Sequence, residues 1–421
     1  MSVYTLLKTV ASSLRGDKDI ILARDSVVER INHELSRRGV RAVASGGGSV
    51  AKGTHLALDH DIDIFVRFSF DYADLEEQLP DLLEPSLKPF APVRVHGSRD
   101  YFQFTHDGYE FEVIPVLAVS HHSQAQNVTD MSPVHVEYFL ARAQGLQDEV
   151  RLAKQFCKAQ GVYGAESYIR GFSGHVLDIL IVHYRSFYAL IAAAASWTPP
   201  VIIDVEGHHE DPLGVLNEAK LSPLILIDPV QPDRNAAAAL SSEQFDAFVS
   251  AAKQFLQAPS EAFFVVKEFR AHQVKERLLE HAGSGVWIDM EVFDLKKDVG
   301  GARVRKVFSR VVREVSRAGF TVVEDGWHFD FPLAHAWVCV EQEALSEVYE
   351  REGPPVSVAE DAERFRAAHD EVFERDGRLW ARVSREQTTL LEVVRSLCES
   401  LSSEKLTCSV SALDATAPVK E

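Results

Sequence analysis

Two aspartates, Asp61 and Asp63, stand two positions apart in the run DIDIFVRF. In a β-strand alternate side chains share a face. Ile62, Ile64 and Val66 then make an apolar face suited to a core, and Asp61 and Asp63 project together from the other. Two carboxylates that close repel unless a cation lies between them. Phosphoryl-transfer sites place two Mg²⁺ ions about 3.5–4 Å apart on such carboxylates. A third acid is expected from a neighbouring strand. YEFEVIPV offers Glu110 and Glu112 on a common face, so one can reach the pair while the other sits nearer the strand's start. Upstream, Gly46-Gly47-Gly48-Ser49 with Lys52 supplies backbone N–H groups, a hydroxyl and a cation, a set that suits a triphosphate. Each piece alone is weak, because a D-x-D on a strand is commonly a surface pair and a glycine turn is commonly only a turn. Their order discriminates: helix, strand, glycine turn, D-x-D strand, then a carboxylate strand. A P-loop is excluded, because GGGSVAKGT carries Ala51 where that motif needs glycine before its lysine.

The elements that must position these residues follow from periodicity. Val27, Val28, Ile31 and Leu35 predict a helix over about 26–38, ended by Gly39. Val40–Ala44 reads as a strand running into the glycine turn, and Asp61–Arg67 as the next. Tyr101–Thr105 and Tyr109–Val116 flank His106-Asp107-Gly108, and Asp-Gly predicts a hairpin. From Pro133 to about Trp197 the pattern is mostly helical. Strands are expected at Val201–Asp204 and Leu224–Asp228, and a helix at 242–257 whose SSEQF start resembles a capping box. After about Phe263 a second α+β pattern begins. It has strands near Val286–Phe293, Thr321–Val323, Ala336–Glu341 and Trp380–Val383. Its helices lie near Ala302–Ala318, Val358–Glu374 and 386–401. The stretch from Ser402 onward is small and polar and is expected to be disordered.

The chain has 421 residues, 46% hydrophobic and 25% charged, the composition of an ordinary globular protein of two to four domains. No apolar run approaches the roughly 18–20 residues that span a bilayer, and MSVYTLLKTVASSLRGDKD lacks a signal-peptide layout, so a cytoplasmic helix is expected there. Cys157, Cys339, Cys398 and Cys408 are far apart and form no C-x-x-C; they read as thiols, not as a zinc site or disulfide framework. A net charge of −19 argues against bulk attraction to nucleic acid, so an RNA partner would need a local basic surface. Lys296, Lys297, Arg303, Arg305, Lys306, Arg310, Arg313 and Arg317 form one, interrupted only by Asp298 and Glu314. The plain reading is a solvated helix face, with Val304, Val307, Val311, Val312 and Val315 burying its other side.

Gly48-Ser49-Val50-Ala51-Lys52-Gly53-Thr54 with Asp59-His60-Asp61-Ile62-Asp63 resembles the G-S-x-A-[RK]-G-T…[DE]-x-D signature of the class I (archaeal-type) CCA-adding enzymes, the tRNA nucleotidyltransferases. RLAKQFCKAQGVYGAESYIRGFSGHVLDILIVHY (151–184), LILIDPVQPDRNAAAALS (224–241) and REGPPVSV (351–358) are similar to further blocks of that family, so the likeness covers about residues 1–400. The resemblance implies an α+β fold: a polymerase beta-like nucleotidyltransferase head with a mixed sheet (1–140), a helical central domain (141–260), and an α+β C-terminal tRNA-binding body and tail (261–402), leaving 403–421 disordered. It implies template-independent addition of C, C and A to the tRNA 3′ end from CTP and ATP, with Mg²⁺ as cofactor. The implied partner is the tRNA acceptor stem and 3′ end; no membrane is implied, and the protein would be a cytoplasmic monomer or homodimer.

Residue by residue, Asp61 and Asp63 match the two head carboxylates that bind the metals, and Glu112 falls where the third stands. Ser49, Lys52, His135, Lys154 and Tyr163 match triphosphate contacts, and Arg234 in DPVQPDRN matches an arginine that helps read the incoming base. Arg303, Arg305, Lys306 and Arg310 become an acceptor-stem surface, because phosphate contacts dominate RNA affinity. By themselves His135, Lys154 and Tyr163 would read as a helix-start, a surface and a core residue. His121-His122 and His208-His209 lack partner ligands at metal spacing and read as solvated; Arg170 reads equally as an RNA contact or a partner of an acid. Two departures stand out. Glu112 replaces the usual Asp, moving the carboxylate by about one bond length. Lys52 replaces the commoner Arg and loses its bidentate fork. A polymerase that adds only part of CCA or A alone, and a catalytically weakened tRNA-binding relative, are the alternative readings.

Overall fold

The alternation in DIDIFVRF is realised, in a computed structural model describing residues 2–57, 59, 61–280 and 284–413, as a strand with Ile62, Ile64, Val66 and Phe68 wholly buried. The architecture is α+β, and the chain divides into two units, Met1–Lys267 and Glu268–Glu421.

In the first unit, β1 (Ala42–Gly46), β2 (Asp61–Phe68), β3 (Val93–Val95), β4 (Tyr101–His106) and β5 (Tyr109–Leu117) form a sheet in the order β1-β2-β5-β4-β3. The β2–β5 pair is parallel and the other pairs are antiparallel. The helices of this unit are α1 (Val3–Ser13), α2 (Asp19–Arg37), α3 (Gly48–Lys52), α4 (Leu79–Leu87), α5 (Ser132–Arg142), α6 (Gln147–Ala159), α7 (Gly174–Tyr184), α8 (Phe187–Ala194), α9 (Pro212–Val215) and α10 (Ser242–Gln257). Val27, Ile31 and Leu35 of α2 and Leu79, Leu83 and Leu87 of α4 recur every four residues and pack on the apolar face of the sheet. The helix expected over 26–38 starts earlier, at Asp19, because Ile20 and Ala23 extend the same buried stripe. A second core gathers Phe156, Phe172, Phe187, Phe248 and Phe255 from α6, α8, α10 and the loop before α7. A three-stranded sheet, β6 (Val201–Ile203), β7 (Leu224–Asp228) and β8 (Gln231–Asn235), runs beside it. Every residue of β7 is buried, which explains its unbroken apolar run.

In the second unit the order is β9 (Ser284–Val292), α12, β10 (Val322–Asp330), β11 (Leu333–Val340), α14, β15 (Leu406–Ala412), preceded by α11 (Ala271–Leu279). Here α12 is Lys297–Ala318 and α14 is Leu390–Leu401. The sheet order β10-β11-β9-β15, all antiparallel, makes this a split βαβ fold with both helices on one face. The insertion between β11 and α14 contains β12 (Val348–Pro355), α13 (Ala359–Ala368), β13 (Glu371–Arg375) and β14 (Arg378–Ser384) in a small sheet of its own.

Two expectations are corrected. The helix read over 358–374 ends at Ala368, and Glu371–Arg375 turns back as a hairpin through Asp376 and Gly377, whose φ values of 52° and 74° are those of an Asp-Gly turn. The stretch from Ser402 is not disordered throughout. Residues 406–412 form β15, with Leu406 buried and Cys408 and Val410 packed toward the helices; residues 414–421 lie outside the described residues. Among the described residues no single helix is long and apolar enough to cross a membrane.

Candidate active site

Parallel register between β2 and β5 sets Asp61 opposite Glu110 and Asp63 opposite Glu112. Of the two glutamates, Glu112 is half-buried beside Asp63, and Glu110 is exposed nearer the strand's start. Gln103 of β4 donates to Glu112 Oε1 at 2.6 Å and fixes its extra methylene in place. Asp61, Glu110, Glu112 and Gln103 line an open cleft of about 520 Å³. Burial, then the charge of Glu112, and to a smaller extent that of Asp61, push the Asp63 carboxyl up to about 6, against the pull of Lys52 and Lys154. Three hard oxygen donors in mutual repulsion are a donor set that suits Mg²⁺.

The glycine turn is built against this pair. Gly47 N–H donates to the Asp63 carbonyl at 2.8 Å. Gly48 has φ +55°, and a Cβ there would lie 1.7 Å from Asp63 Oδ2, so only glycine leaves the carboxylate its place. Ser49 follows, half-buried, in the short helix α3. His60, part of the same sequence block, lies outside the described residues.

The cations converge on the first turns of α7. Lys52 pairs with Asp178, whose Oδ1 has no hydrogen-bond partner among the described residues. Lys154 Nζ reaches Thr54 O and Oγ1 at 3.2 and 3.3 Å. Burial, with Lys52 and Lys158 nearby, pushes Lys154 down to about 8, while Asp178 and Asp59 oppose the shift. A Cβ on Gly174, the first residue of α7, would stand 3.2 Å from the Tyr163 hydroxyl and 3.7 Å from Lys154 Cε, so all three groups meet there. Burial raises the Tyr163 phenol, which stays protonated and able to donate.

His135 and Arg234 meet at Asp228. His135 Nε2 lies 3.1 and 3.0 Å from its two carboxylate oxygens, and Arg234 Nη1 donates to Oδ2 at 3.1 Å. His175 Nε2 is 3.0 Å from the same Oδ2. Burial alone would raise Asp228; hydrogen bonds from His135 and His175, and their charge, hold it far below the usual carboxylate range. Burial lowers His135, with Asp228 opposing.

Sequence reasoning missed Asp228, His175, Asp178 and Gly174. The run GHVLD held a signal for three of them: residues 174, 175 and 178 fall on one side of the first turns of a helix. The paired histidines of the loops are structural. His208 and His209 rings bond the carbonyls of Pro229 and Pro232 at 2.9 and 2.7 Å, and His121 caps the turn that follows it. Arg170 is exposed, and its carbonyl accepts from Ser241 N–H.

In the second unit, α12 buries Val304, Val307, Phe308, Val311 and Val315 and leaves Lys306 and Arg310 exposed, with Arg303 and Arg305 half-buried. Glu314 is taken by Arg317 at 3.0 Å and Arg313 at 3.4 Å. On the opposite face of that sheet Phe269 stacks on His328 at 4.0 Å, and Lys275 lies 4.9 Å over Trp287.

Residues 148–265 match the family model of the tRNA nucleotidyltransferase second domain, and residues 291–407 that of the CCA-adding enzyme C-terminal domain. The chain is 33% identical over 348 residues to the CCA-adding enzyme of Nanoarchaeum equitans, covering 80% of this chain and 83% of that one. It is 29% identical over 400 residues to the CCA-adding enzyme of Methanothermobacter thermautotrophicus, covering 93% and 87%. Among solved structures, a cytoplasmic RNA terminal U-transferase superposes with a TM-score of 0.50 at 12% identity, over 63% of this chain and 99% of that one, a likeness of fold alone.

Proposed function

The chain belongs to the class I (archaeal-type) CCA-adding enzymes, the tRNA nucleotidyltransferases, and from that premise we propose that it adds C, C and A in turn to the tRNA 3′ end from CTP and ATP, without a nucleic-acid template. The observation that supports the reading best is the parallel register that sets Asp63 beside Glu112, with Asp61 on the same strand face and cations within the electrostatic reach of Asp63.

Asp61, Asp63 and Glu112 would hold Mg²⁺, which when bound lowers the pKa of the attacking 3′-hydroxyl and neutralises the departing pyrophosphate. The chain's own groups do the positioning. Gly48 leaves room for the Asp63 carboxylate, and Gln103 aims Glu112. Ser49, Lys52, Lys154, Tyr163 and His135 bind and orient the triphosphate so that its α-phosphorus faces the hydroxyl in line. Lys154, already pushed down to about 8, regains its proton fully when the polyanion arrives. Arg234 presents N–H donors to the base edge; cytosine N3 and adenine N1 accept, whereas the corresponding N–H groups of uracil and guanine cannot. Arg303, Arg305, Lys306 and Arg310 of α12 contact acceptor-stem phosphates.

The test is incorporation of labelled CMP and AMP into tRNA ending before CCA, after the first C and after CC, with single nucleotides supplied. Wild-type protein should add CMP to the first two substrates and AMP to the third, and Asp63→Ala should add neither. Incorporation of A alone would replace the reading by a partial polymerase, and no incorporation by a weakened tRNA-binding relative.

A further inference from the structure

Asp228 closes β7 with no exposed surface, a place where an ionised carboxylate is tolerated only if its lone pairs are filled. They are filled from four directions. Val230 and Gln231 N–H donate to Oδ1 at 3.1 and 3.2 Å from the turn into β8. His135 arrives from α5, His175 from α7 and Arg234 from β8, all three on Oδ2. A carboxylate held in ionised form only accepts, so each imidazole Nε2 carries hydrogen and donates.

The rings of His135 and His175 stand 4.2 Å apart between centroids, with the Arg234 guanidinium on the same oxygen. Three donor groups at that separation have no reason to gather except the shared anion. The ligand atoms of His135, His175 and Asp228 lie within 4.8 Å of one another, a spacing that would also suit a metal ion. Arg234 already brings a permanent positive charge to Oδ2, so the cluster is complete without one. Among the described residues Arg234 is anchored through Nη1 alone, to Asp228 and to Gln231 Oε1 at 3.2 Å, and its side chain is 46% exposed. Its remaining N–H groups are therefore oriented yet available to a ligand.

We propose that Asp228 is a positioning residue for nucleotide binding, which locks His135, His175 and Arg234 into one donor array, and that His175 is a working member of that array. The proposal rests on the nucleotide-binding reading of His135 and Arg234 given above. Asp228→Asn keeps the shape and the acceptor for the two backbone N–H groups, but turns an amide donor toward the imidazoles and the guanidinium. The array then loosens without touching the carboxylates on β2 and β5.

The experiment measures kcat and KM for CTP and for ATP on tRNA lacking the matching 3′ nucleotides, with thermal unfolding of each variant in parallel. Asp228→Asn should raise KM for both nucleotides by about tenfold or more, as expected for lost charge-assisted hydrogen bonds, with kcat at saturation within about threefold of wild type. Misincorporation of UMP should rise as Arg234 loses its orientation. His175→Gln, at the half-exposed edge of the cluster, should raise KM in the same sense by a smaller factor, and it decides the matter if Asp228→Asn does not fold. KM within twofold of wild type in the folded variants, or a loss confined to kcat, overturns the proposal. A wild-type protein that adds neither C nor A would instead refute the function on which it rests.

Discussion

Asp63 is the residue where structure and chemistry pull against each other. Its carboxyl is raised from 3.8 to about 6 by burial and by its acidic neighbours, so between those values the folded chain binds protons more readily than the unfolded chain. Metal-free stability should therefore decline as pH climbs from about 4 to 6. Asp63→Asn removes the repulsion. In chelator at pH 7 it should unfold later than wild type by about 1–2 kcal/mol, a figure below the full shift because the site opens to solvent. Added Mg²⁺ should raise the unfolding temperature of wild type and not of the variant, which should be inactive. Gly48 makes the complementary prediction. Gly48→Ala drives a methyl into Asp63 Oδ2, and a displacement of about 1 Å costs roughly a hundredfold in rate, so kcat should fall by about that factor in a chain that still folds. That Asp61 and Asp63 share one face, and Glu110 and Glu112 another, was legible in the sequence because a period of two fixes which side chains share a face. The choice of Glu112 over Glu110 came from the family block and not from the period, since the period alone leaves open the strand register and the contact with Gln103 from a third strand. Asp228 and His175 were hidden for a related reason: their partner His135 is 93 and 40 positions away.

At the scale of elements, α7 is the piece that joins the clusters. Gly174 packs on Tyr163 and Lys154, His175 holds Asp228, and Asp178 holds Lys52, all within the first two turns. A helix with a clean period, 242–257, and a strand that is one short apolar run, Leu224–Asp228, were read to the residue. The failures came where composition masked pattern. LTCSVSA alternates like a strand, but its small polar residues and the disorder-like segment after it hide the period. A chain ending at Ser402 tests the correction. It loses β15, strips Leu406 from the core and leaves β9 unpaired on one side. The second unit should lose roughly 3 kcal/mol or more and unfold at a visibly lower temperature by calorimetry. If 403–421 were all disordered, the truncation would leave that transition unmoved.

For the whole molecule the balance of charge decides how RNA is met. With a net charge of −19, long-range attraction to a polyanion is weak, and affinity must come from a local basic surface. On the split βαβ unit the basic face of α12 is the surface proposed for phosphates, with Lys306 and Arg310 exposed. The double change Lys306→Glu and Arg310→Glu should weaken tRNA binding by at least about tenfold and flatten its salt dependence, with CTP affinity unchanged; binding titrations between 50 and 200 mM salt check this. The change in pattern near Phe263 was legible in the sequence, and the division after Lys267 falls close to it, whereas the strand order of either sheet was not legible, because no local signal encodes which distant strands become neighbours.

If Lys52 binds triphosphate as proposed, its ion pair with Asp178 means that it already holds an anion of the chain's own. A newcomer must displace a resident anion, not fill a gap. On that reading a triphosphate, which would engage Lys154 and Tyr163 at the same time, should displace Asp178 where a small ion of low charge should not. The expected consequence is a threshold on ligand charge that ordinary phosphate in the surrounding solution does not reach.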